Sequence, residues 1–205
     1  MRRHHFLKSA AVAVALPSIS RSAQNCTILP PGVQICDVSV QPPLQRVSQQ
    51  CPLWCWAASI SAIFDFYGHP VPQQAIVQRV FGGVVCAASG STTNIGAALS
   101  VNWVDANGNS FQSRVISAYD PANGLNTLNN QQIIQEITNN RPMLYCNTHH
   151  AMVVVGVRYS PSSVQMVGVT DPWPYSPPYH PLSGPEMAPS IRGGQMTFLA
   201  AVSVS

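Results

Sequence analysis

The sequence predicts a single α+β domain in which an N-terminal helical half packs on a small antiparallel β-sheet. Helical patterns dominate the first part of the chain and strand-like sequence dominates the last part, an order typical of α+β proteins. A chain of 205 residues suits one domain with a hydrophobic core and is too short for two ordinary ones. Hydrophobic residues make up 46% of it and charged residues 8%, which favours a globular chain over a disordered one.

Four helices are predicted from apolar residues at helical spacing and from residues that stop helices. The first carries Trp56, Ile60 and Phe64 on one face and ends at Gly68. The second has proline in its first turn and is followed by Gly82. The predicted helices span residues 55–67, 72–81, 93–100 and 129–139.

Strands are predicted where β-branched and aromatic residues are frequent between turn signals. One strand follows the turn signal Asn107-Gly108, and a turn at residues 160–163 separates two others. Seven prolines between residues 172 and 189 predict a loop there, because proline lacks the N–H group that inner strands and helices need. The predicted strands span residues 111–118, 143–146, 150–159, 164–170 and 195–204.

The N-terminus has the organisation of an export signal, predicted over residues 1–23. A basic start is followed by a small apolar run, residues 9–16, and then by small polar residues. Arg2-Arg3 resembles the twin-arginine signal, and the general export route is equally compatible. An apolar run of about 8 residues is far shorter than the roughly 20 that span a bilayer. We therefore expect a mature protein that is periplasmic or extracellular and not membrane-bound.

Charge is unevenly distributed along the chain and excludes one class of partner. The formal net charge is +3, but four of the ten Lys and Arg residues lie in the predicted signal, and all seven acidic residues lie beyond it. Six arginines and seven acidic residues remain, which leaves a net charge of −1. Such a body has no cationic patch for a phosphate backbone, so nucleic acid is not expected as a partner. We expect a monomer.

Residues 24–47 are predicted to form an extended lead to the main domain at residues 48–205. The lead contains proline, lacks a sustained period and carries Cys26 and Cys36, which are candidates for a disulfide within it. Six cysteines in the whole chain suit an oxidising compartment, where disulfides persist. Their spacing shows no repeated Cys-x-x-Cys and no zinc-finger pattern, so no metal site is expected.

Cys55 is the first candidate for chemistry. It stands at the predicted start of an apolar helix, where unpaired backbone N–H groups and the helix dipole favour a nucleophilic thiolate. A cysteine in an exported chain is, however, more often a disulfide partner or a small buried residue. The position of Cys55 alone leaves both interpretations open.

A histidine and an aspartate at the ends of the predicted hairpin favour catalysis. His150 opens one strand and Asp171 closes the next. If these strands pair across the turn near residue 162, partners sum to about 323, and the two residues come within diagonal reach, roughly 7–8 Å between backbones. Asp171 can then hold one ring nitrogen of His150 and leave the other for a thiol. Each of the two residues is also common at such a position without any catalytic role.

Three separated motifs resemble those of papain-like cysteine peptidases. The segment Gln49-Gln50-Cys51-Pro52-Leu53-Trp54-Cys55-Trp56-Ala57-Ala58 resembles the papain-type active-site segment, and His150 to Gly156 resembles the histidine strand of that family. The Trp-Cys-Trp-Ala-Ala form and the ending Asp171-Pro172-Trp173 are closer to the bacterial C39-like and AvrRpt2-like (C70) peptidases. Papain itself has asparagine as the third member, so its substrate preferences do not transfer to this chain.

This resemblance implies a papain-like fold and a role for each motif residue. Cys55 would be the nucleophile, His150 the base that takes its proton and later protonates the leaving group, and Asp171 the residue that orients the imidazole. Gln49 would donate its side-chain amide to the oxyanion together with the Cys55 backbone N–H, and Gln50 is the alternative donor.

The resemblance also implies a disulfide between Cys51 and Cys86 that secures the wall beside the nucleophile. Cys26 and Cys36 are the other candidate pair. Cys146 is then left as a free thiol near the nucleophile.

The predicted function is hydrolysis of peptide bonds through a thioester on Cys55. The partner would be a protein or peptide substrate, and the chemistry needs no cofactor. Two alternatives remain open at this point. The same residues can act on a non-peptide amide as an amidase, deamidase or acyltransferase, or the chain can be an inactive, disulfide-stapled secreted binding module in which Cys55 is oxidised.

Overall fold

The computed structural model describes residues 21–161 and 163–205, in which five helices pack on an antiparallel sheet of ten strands. The predicted α+β class is confirmed, and the arrangement is consistent with a papain-like peptidase. The sheet is larger than the small one predicted.

Of the predicted export signal, residues 1–23, the first 20 residues lie outside the described part of the chain. Among the residues that are described, no helix has the length and apolar character needed to cross a bilayer.

The four predicted helices are present, with ends within about two residues of those expected. Gly68 and Gly82 have φ angles of 83° and 73°, the left-handed conformation that ends the first two helices at low steric cost. Asn129 and Gln132 form a capping box at the start of the fourth. The helices are α1 (Cys55–Phe66), α2 (Gln73–Phe81), α3 (Thr92–Leu99), α4 (Asn130–Thr138) and a short α5 (Gly184–Met187).

The sheet is built around one long central strand, β7, which pairs with three others. β8 lies along one edge of β7, and β6 and β2 share the opposite edge. The main order is β1-β2-β7-β6-β10-β4-β3, with β9 on β8 and β5 on β4. The strands are β1 (Ala23–Leu29), β2 (Val33–Ser39), β3 (Asn102–Val104), β4 (Ser110–Asp120), β5 (Leu125–Asn126), β6 (Met143–Asn147), β7 (Ala151–Ser160), β8 (Ser163–Thr170), β9 (Tyr179–Pro181) and β10 (Met196–Val204).

The predicted lead, residues 24–47, contains a β-hairpin that belongs to this sheet. Cys26 and Cys36 are paired across β1 and β2 and form a disulfide. Because β2 also pairs with β7, the hairpin extends the main sheet. β1 is an edge strand whose residues are all exposed, so its sequence lacks the alternation of apolar and polar residues that predicts a strand.

The β7–β8 hairpin has the predicted register. Ser160 pairs with Ser163 at the turn and Val153 pairs with Thr170 at the far end, and both pairs sum to 323. Two irregularities along the hairpin compensate each other. The start of β7 and the end of β8 therefore lie side by side, which brings His150 and Asp171 to the same end of the sheet.

Helices cover both faces of the sheet. α1 packs on β6 and β7 and buries Ile60, Ile63 and Phe64 completely, whereas α4 packs on β2, β7 and β8. Successive strand residues point to opposite faces. Accordingly, Tyr145 lines a cavity together with residues of α4. Its neighbour Cys146 lies on the opposite face of the sheet, near α1.

Candidate active site

Cys55 is the first residue of α1 and is partly buried. No side chain caps this helix end, so the backbone N–H groups of its first turn are available to a negatively charged group. The thiol is free, as is that of Cys146, and the other cysteines of the described residues form two disulfides. In the described structure Cys55 is therefore a free cysteine and not a disulfide partner.

The segment that leads to Cys55 is fixed to the loop after α2. Cys51 and Cys86 form the disulfide that the family resemblance implies. The Trp54 indole donates a hydrogen bond of 2.8 Å to the carbonyl of Val85. Together these two contacts tie the start of α1 to the loop after α2.

Contacts between α1 and β7 bring the thiol close to the histidine. Ser59, one turn into α1, donates a buried hydrogen bond of 3.2 Å to the carbonyl of Ala151, the first residue of β7. His150 immediately precedes that residue. The Cys55 thiol lies near this imidazole and raises the pKa of His150. Cys55 and His150 thus come from α1 and from the residue before β7, two elements that pack against each other.

A turn before β7 sets the backbone of His150. The side-chain oxygen of Asn147 accepts hydrogen bonds from the N–H groups of His149 and His150, at 2.9 and 2.7 Å. This is an Asx-type turn, which fixes the direction in which the chain enters the strand. His149 itself is exposed, whereas His150 is half-buried.

Asp171 is 5% exposed and lies directly after β8. Its Oδ1 atom lies 2.6 Å from Nε2 of His150 and accepts a 2.8 Å hydrogen bond from the backbone N–H of Trp173. Oδ2 lies 3.3 Å from Nε2 of His180. The Ser176 side chain lies near the carboxylate and lowers its pKa. A buried carboxylate with this many partners has its orientation fixed.

The two charges at the His150–Asp171 contact stabilise each other. Burial alone would lower the pKa of His150, but hydrogen bonds with Asp171 and with Cys55, and the negative charges of both, raise it to about 9. Burial alone would raise the pKa of Asp171, yet the hydrogen bonds from His150, Trp173 and Ser176 hold it well below its usual range. At neutral pH the pair is therefore an imidazolium bound to a carboxylate.

This ion pair predicts a pH dependence of stability. Because the folded-state pKa of His150, about 9, lies above its ordinary value of 6.5, its protonation stabilises the folded state fully below pH 6.5, and this contribution is lost as pH rises through 9. We expect the difference in unfolding free energy between wild type and His150→Gln to fall across that window in urea titrations. His149→Gln is the matched control, and an equal trend in that variant would contradict the assignment.

The two glutamines face different partners. Gln49 is buried, and its amide nitrogen donates to the carbonyls of Cys51 and Pro52 at 3.0 and 2.8 Å, while its Oε1 has no partner in the described structure. Gln50 is exposed and accepts a hydrogen bond from Gln74 of α2. An oxyanion role for Gln49 stays a prediction. It requires that the amide break one of its two hydrogen bonds to backbone carbonyls. Gln50 is directed toward α2.

Cys146 lies close to the nucleophile but is suited to packing. It is 6% exposed, and its burial, together with the nearby Cys55 and Asp120, raises the pKa of its thiol. It therefore stays protonated at neutral pH. A buried neutral thiol behaves as a small apolar residue.

A cavity of about 670 Å³ lies away from these residues, on the α4 face of the sheet. Tyr119, Tyr145 and Leu199 are among its lining residues, and neither Cys55 nor His150 lines it. Cys55, His150 and Asp171 therefore lie outside this cavity. Within residues 21–161 and 163–205, no cluster of three or more His, Cys, Asp or Glu side chains is arranged to hold a metal ion.

Three residues at the site were not predicted from the sequence. His180, Ser176 and Asn147 all contact the histidine–aspartate pair or its backbone. His180 and Ser176 lie in the proline-rich segment that was predicted to be a loop, which in fact contains β9 and α5. A capping pattern at Ser183 and Glu186, with proline in the first turn, was a usable signal for α5.

The model of the Peptidase C39-like family matches residues 38–180, more than two thirds of the chain. No curated protein matches this chain. The matched region contains Cys55, His150 and Asp171, strands β3 to β8, the last two residues of β2 and the first two of β9. Together with the α+β fold, this match over most of the chain places the protein in the Peptidase C39-like family, which points to a cysteine peptidase.

Proposed function

We propose that this protein is an exported cysteine peptidase that hydrolyses peptide bonds with Cys55 as nucleophile, His150 as general acid and base, and Asp171 as the group that orients His150. One observation carries the proposal. Nε2 of the His150 imidazole lies 2.6 Å from Oδ1 of Asp171, and the Cys55 thiol, at an uncapped helix start, lies near the same imidazole and raises its pKa.

The reaction follows from which nitrogen faces which partner. Because Nε2 is held by Asp171, Nδ1 is the nitrogen that exchanges a proton with Cys55. The Cys55 sulfur attacks the carbonyl carbon, the C–N bond breaks, and the Nδ1 proton of His150 passes to the departing amine. The neutral His150 then takes a proton from water, which attacks the thioester and releases the acid together with the Cys55 thiol.

The developing oxyanion needs donors near Cys55. The backbone N–H of Cys55 lies in the uncapped first turn of α1, and the helix dipole favours negative charge there. Gln49 is the second donor in this proposal. Its side-chain amide would release one of its two backbone carbonyl acceptors and donate to the substrate oxygen instead.

The Asp171-Pro172-Trp173 ending further suggests a relationship to the AvrRpt2-like peptidases.

Export is supported by two independent features. The N-terminus has the pattern of an export signal, and two disulfides are present in the described residues. Disulfides persist in oxidising compartments. A periplasmic or extracellular location follows from this proposal, and fractionation of cells that express the full chain tests it.

Covalent labelling tests the nucleophile. We expect a peptidyl vinyl sulfone or epoxide to label wild type once per molecule, with the adduct on Cys55, and not to label Cys55→Ala. Cys146→Ala is the matched control because it removes the other free thiol, and it should label as wild type does. Labelling of Cys55→Ala, or no labelling of the non-reduced wild type, would contradict the proposal.

Product analysis distinguishes a peptidase from related acyl-transfer enzymes. A peptidase releases new amino termini from a protein substrate, whereas an amidase, deamidase or acyltransferase does not. We expect added amines such as hydroxylamine to intercept the thioester without being required for turnover. Turnover that requires an added amine would identify an acyltransferase instead.

A further inference from the structure

We infer that His180 is a positioning residue for this site: it binds the oxygen of Asp171 that His150 leaves free and so fixes the plane of the carboxylate. The inference rests on the proposed function, because its consequence is measured on the reaction of Cys55. It concerns a residue outside the Cys-His-Asp set, in a segment without any catalytic motif.

The fold places His180 beside Asp171 through strand pairing. β9 pairs antiparallel with β8, and His180 is opposite Val169, two residues before Asp171. Paired and second-neighbour residues of a strand point to the same face, so the imidazole and the carboxylate meet. Nε2 of His180 lies 3.3 Å from Oδ2 of Asp171. The backbone N–H of Asp171 also donates to the carbonyl of Pro178, just before β9.

Both ring nitrogens of His180 face oxygen acceptors. Nδ1 lies 3.1 Å from the carbonyl oxygen of Pro181, and Nε2 faces the carboxylate oxygen. Both partners are acceptors, so a ring nitrogen that carries a proton donates to the oxygen that it faces.

Asp171 divides its partners between its two oxygens. Oδ1 binds His150 and the Trp173 N–H, and Oδ2 has His180 within 3.3 Å. Rotation of the carboxylate would therefore break contacts on both sides at once. A carboxylate that cannot rotate holds the His150 ring in one orientation, with Nδ1 directed at Cys55.

In the described residues, His180 forms its ion-pair contact with Asp171. Asp171 faces it directly, and the His150 imidazole lies on the far side of that carboxylate. On the adjoining loop, the Arg46 guanidinium donates to the carbonyls of Trp173 and Ser176. One carboxylate is thus shared by two imidazoles, which makes it sensitive to the loss of either.

Two substitutions at one position test the inference. His180→Leu removes the donor, whereas His180→Gln keeps an N–H at the position of Nε2 without a titratable ring. We expect His180→Leu to lower the maximal rate of Cys55 labelling by a vinyl sulfone about 10-fold, the order for a hydrogen bond to a charged group, with the inhibitor concentration for half-maximal rate unchanged. His180→Gln should recover most of that rate.

The outcomes separate this inference from the proposed function. Wild-type rates in His180→Leu, or equal losses in both variants, would overturn the role of His180 while Cys55→Ala remains unlabelled. A change in the half-maximal inhibitor concentration alone would also overturn it, because His180 would then act on binding. If His180→Leu does not fold, a His180→Gln rate within about 3-fold of wild type supports the role and a 10-fold loss overturns it. Labelling of Cys55→Ala would instead reject the proposed function itself.

Discussion

Replacing His150 by alanine is expected to lower kcat/KM for peptide hydrolysis by on the order of 10⁴-fold or more. In the proposed mechanism the imidazole would exchange a proton with Cys55, protonate the departing amine and activate water for the second step. Alanine removes all three.

The chain offers a matched control in the adjacent residue. His149 is exposed, and in the contacts of the described structure its backbone N–H, not its ring, binds Asn147. His149→Ala should therefore keep kcat/KM within about 2-fold of wild type. The measurement is initial-rate hydrolysis of a quenched fluorescent peptide library at pH 7. Similar losses in His149→Ala and His150→Ala would indicate damage to the turn and would contradict a chemical role for His150.

The meeting of His150 and Asp171 was predictable because both lie on one local hairpin. Turn residues fix the register of a hairpin, and a register fixes which ends are neighbours. The pairing predicted across residue 162 agrees with the structure, in which Ser160 pairs with Ser163. The placement of Cys55 beside them depends on packing between α1 and β7, far apart in sequence, and only the family resemblance indicated it.

The remaining strands were harder to predict for physical reasons. β1 is exposed on both faces, and β9 has only three residues within a proline-rich segment, so neither carries a period of apolar residues. His180 consequently lay in a predicted loop with no partner. Gln49 shows a different limit: its sequence spacing from Cys55 indicated a role, but its amide contacts depend on the local path of the chain.

Replacing Asp171 by alanine is expected to lower kcat/KM by about 10³-fold. This loss is smaller than that for His150, because the imidazole remains able to exchange protons with Cys55. Without the carboxylate, Nε2 of His150 loses its partner at 2.6 Å and the ring is free to turn. The pKa of His150 should also fall from about 9, since the hydrogen bond and charge of Asp171 both raise it.

Asp171→Asn is the informative companion because it keeps the shape and removes the charge. Its amide oxygen can still accept from His150 and from the Trp173 N–H, so its kcat/KM should exceed that of Asp171→Ala. In both variants the alkaline limb of the kcat/KM profile should move below the wild-type value near 9, because the imidazolium loses its counter-charge. An unmoved alkaline limb would mean that this limb does not report His150, and that Asp171 acts on the backbone of its loop and not on the imidazole.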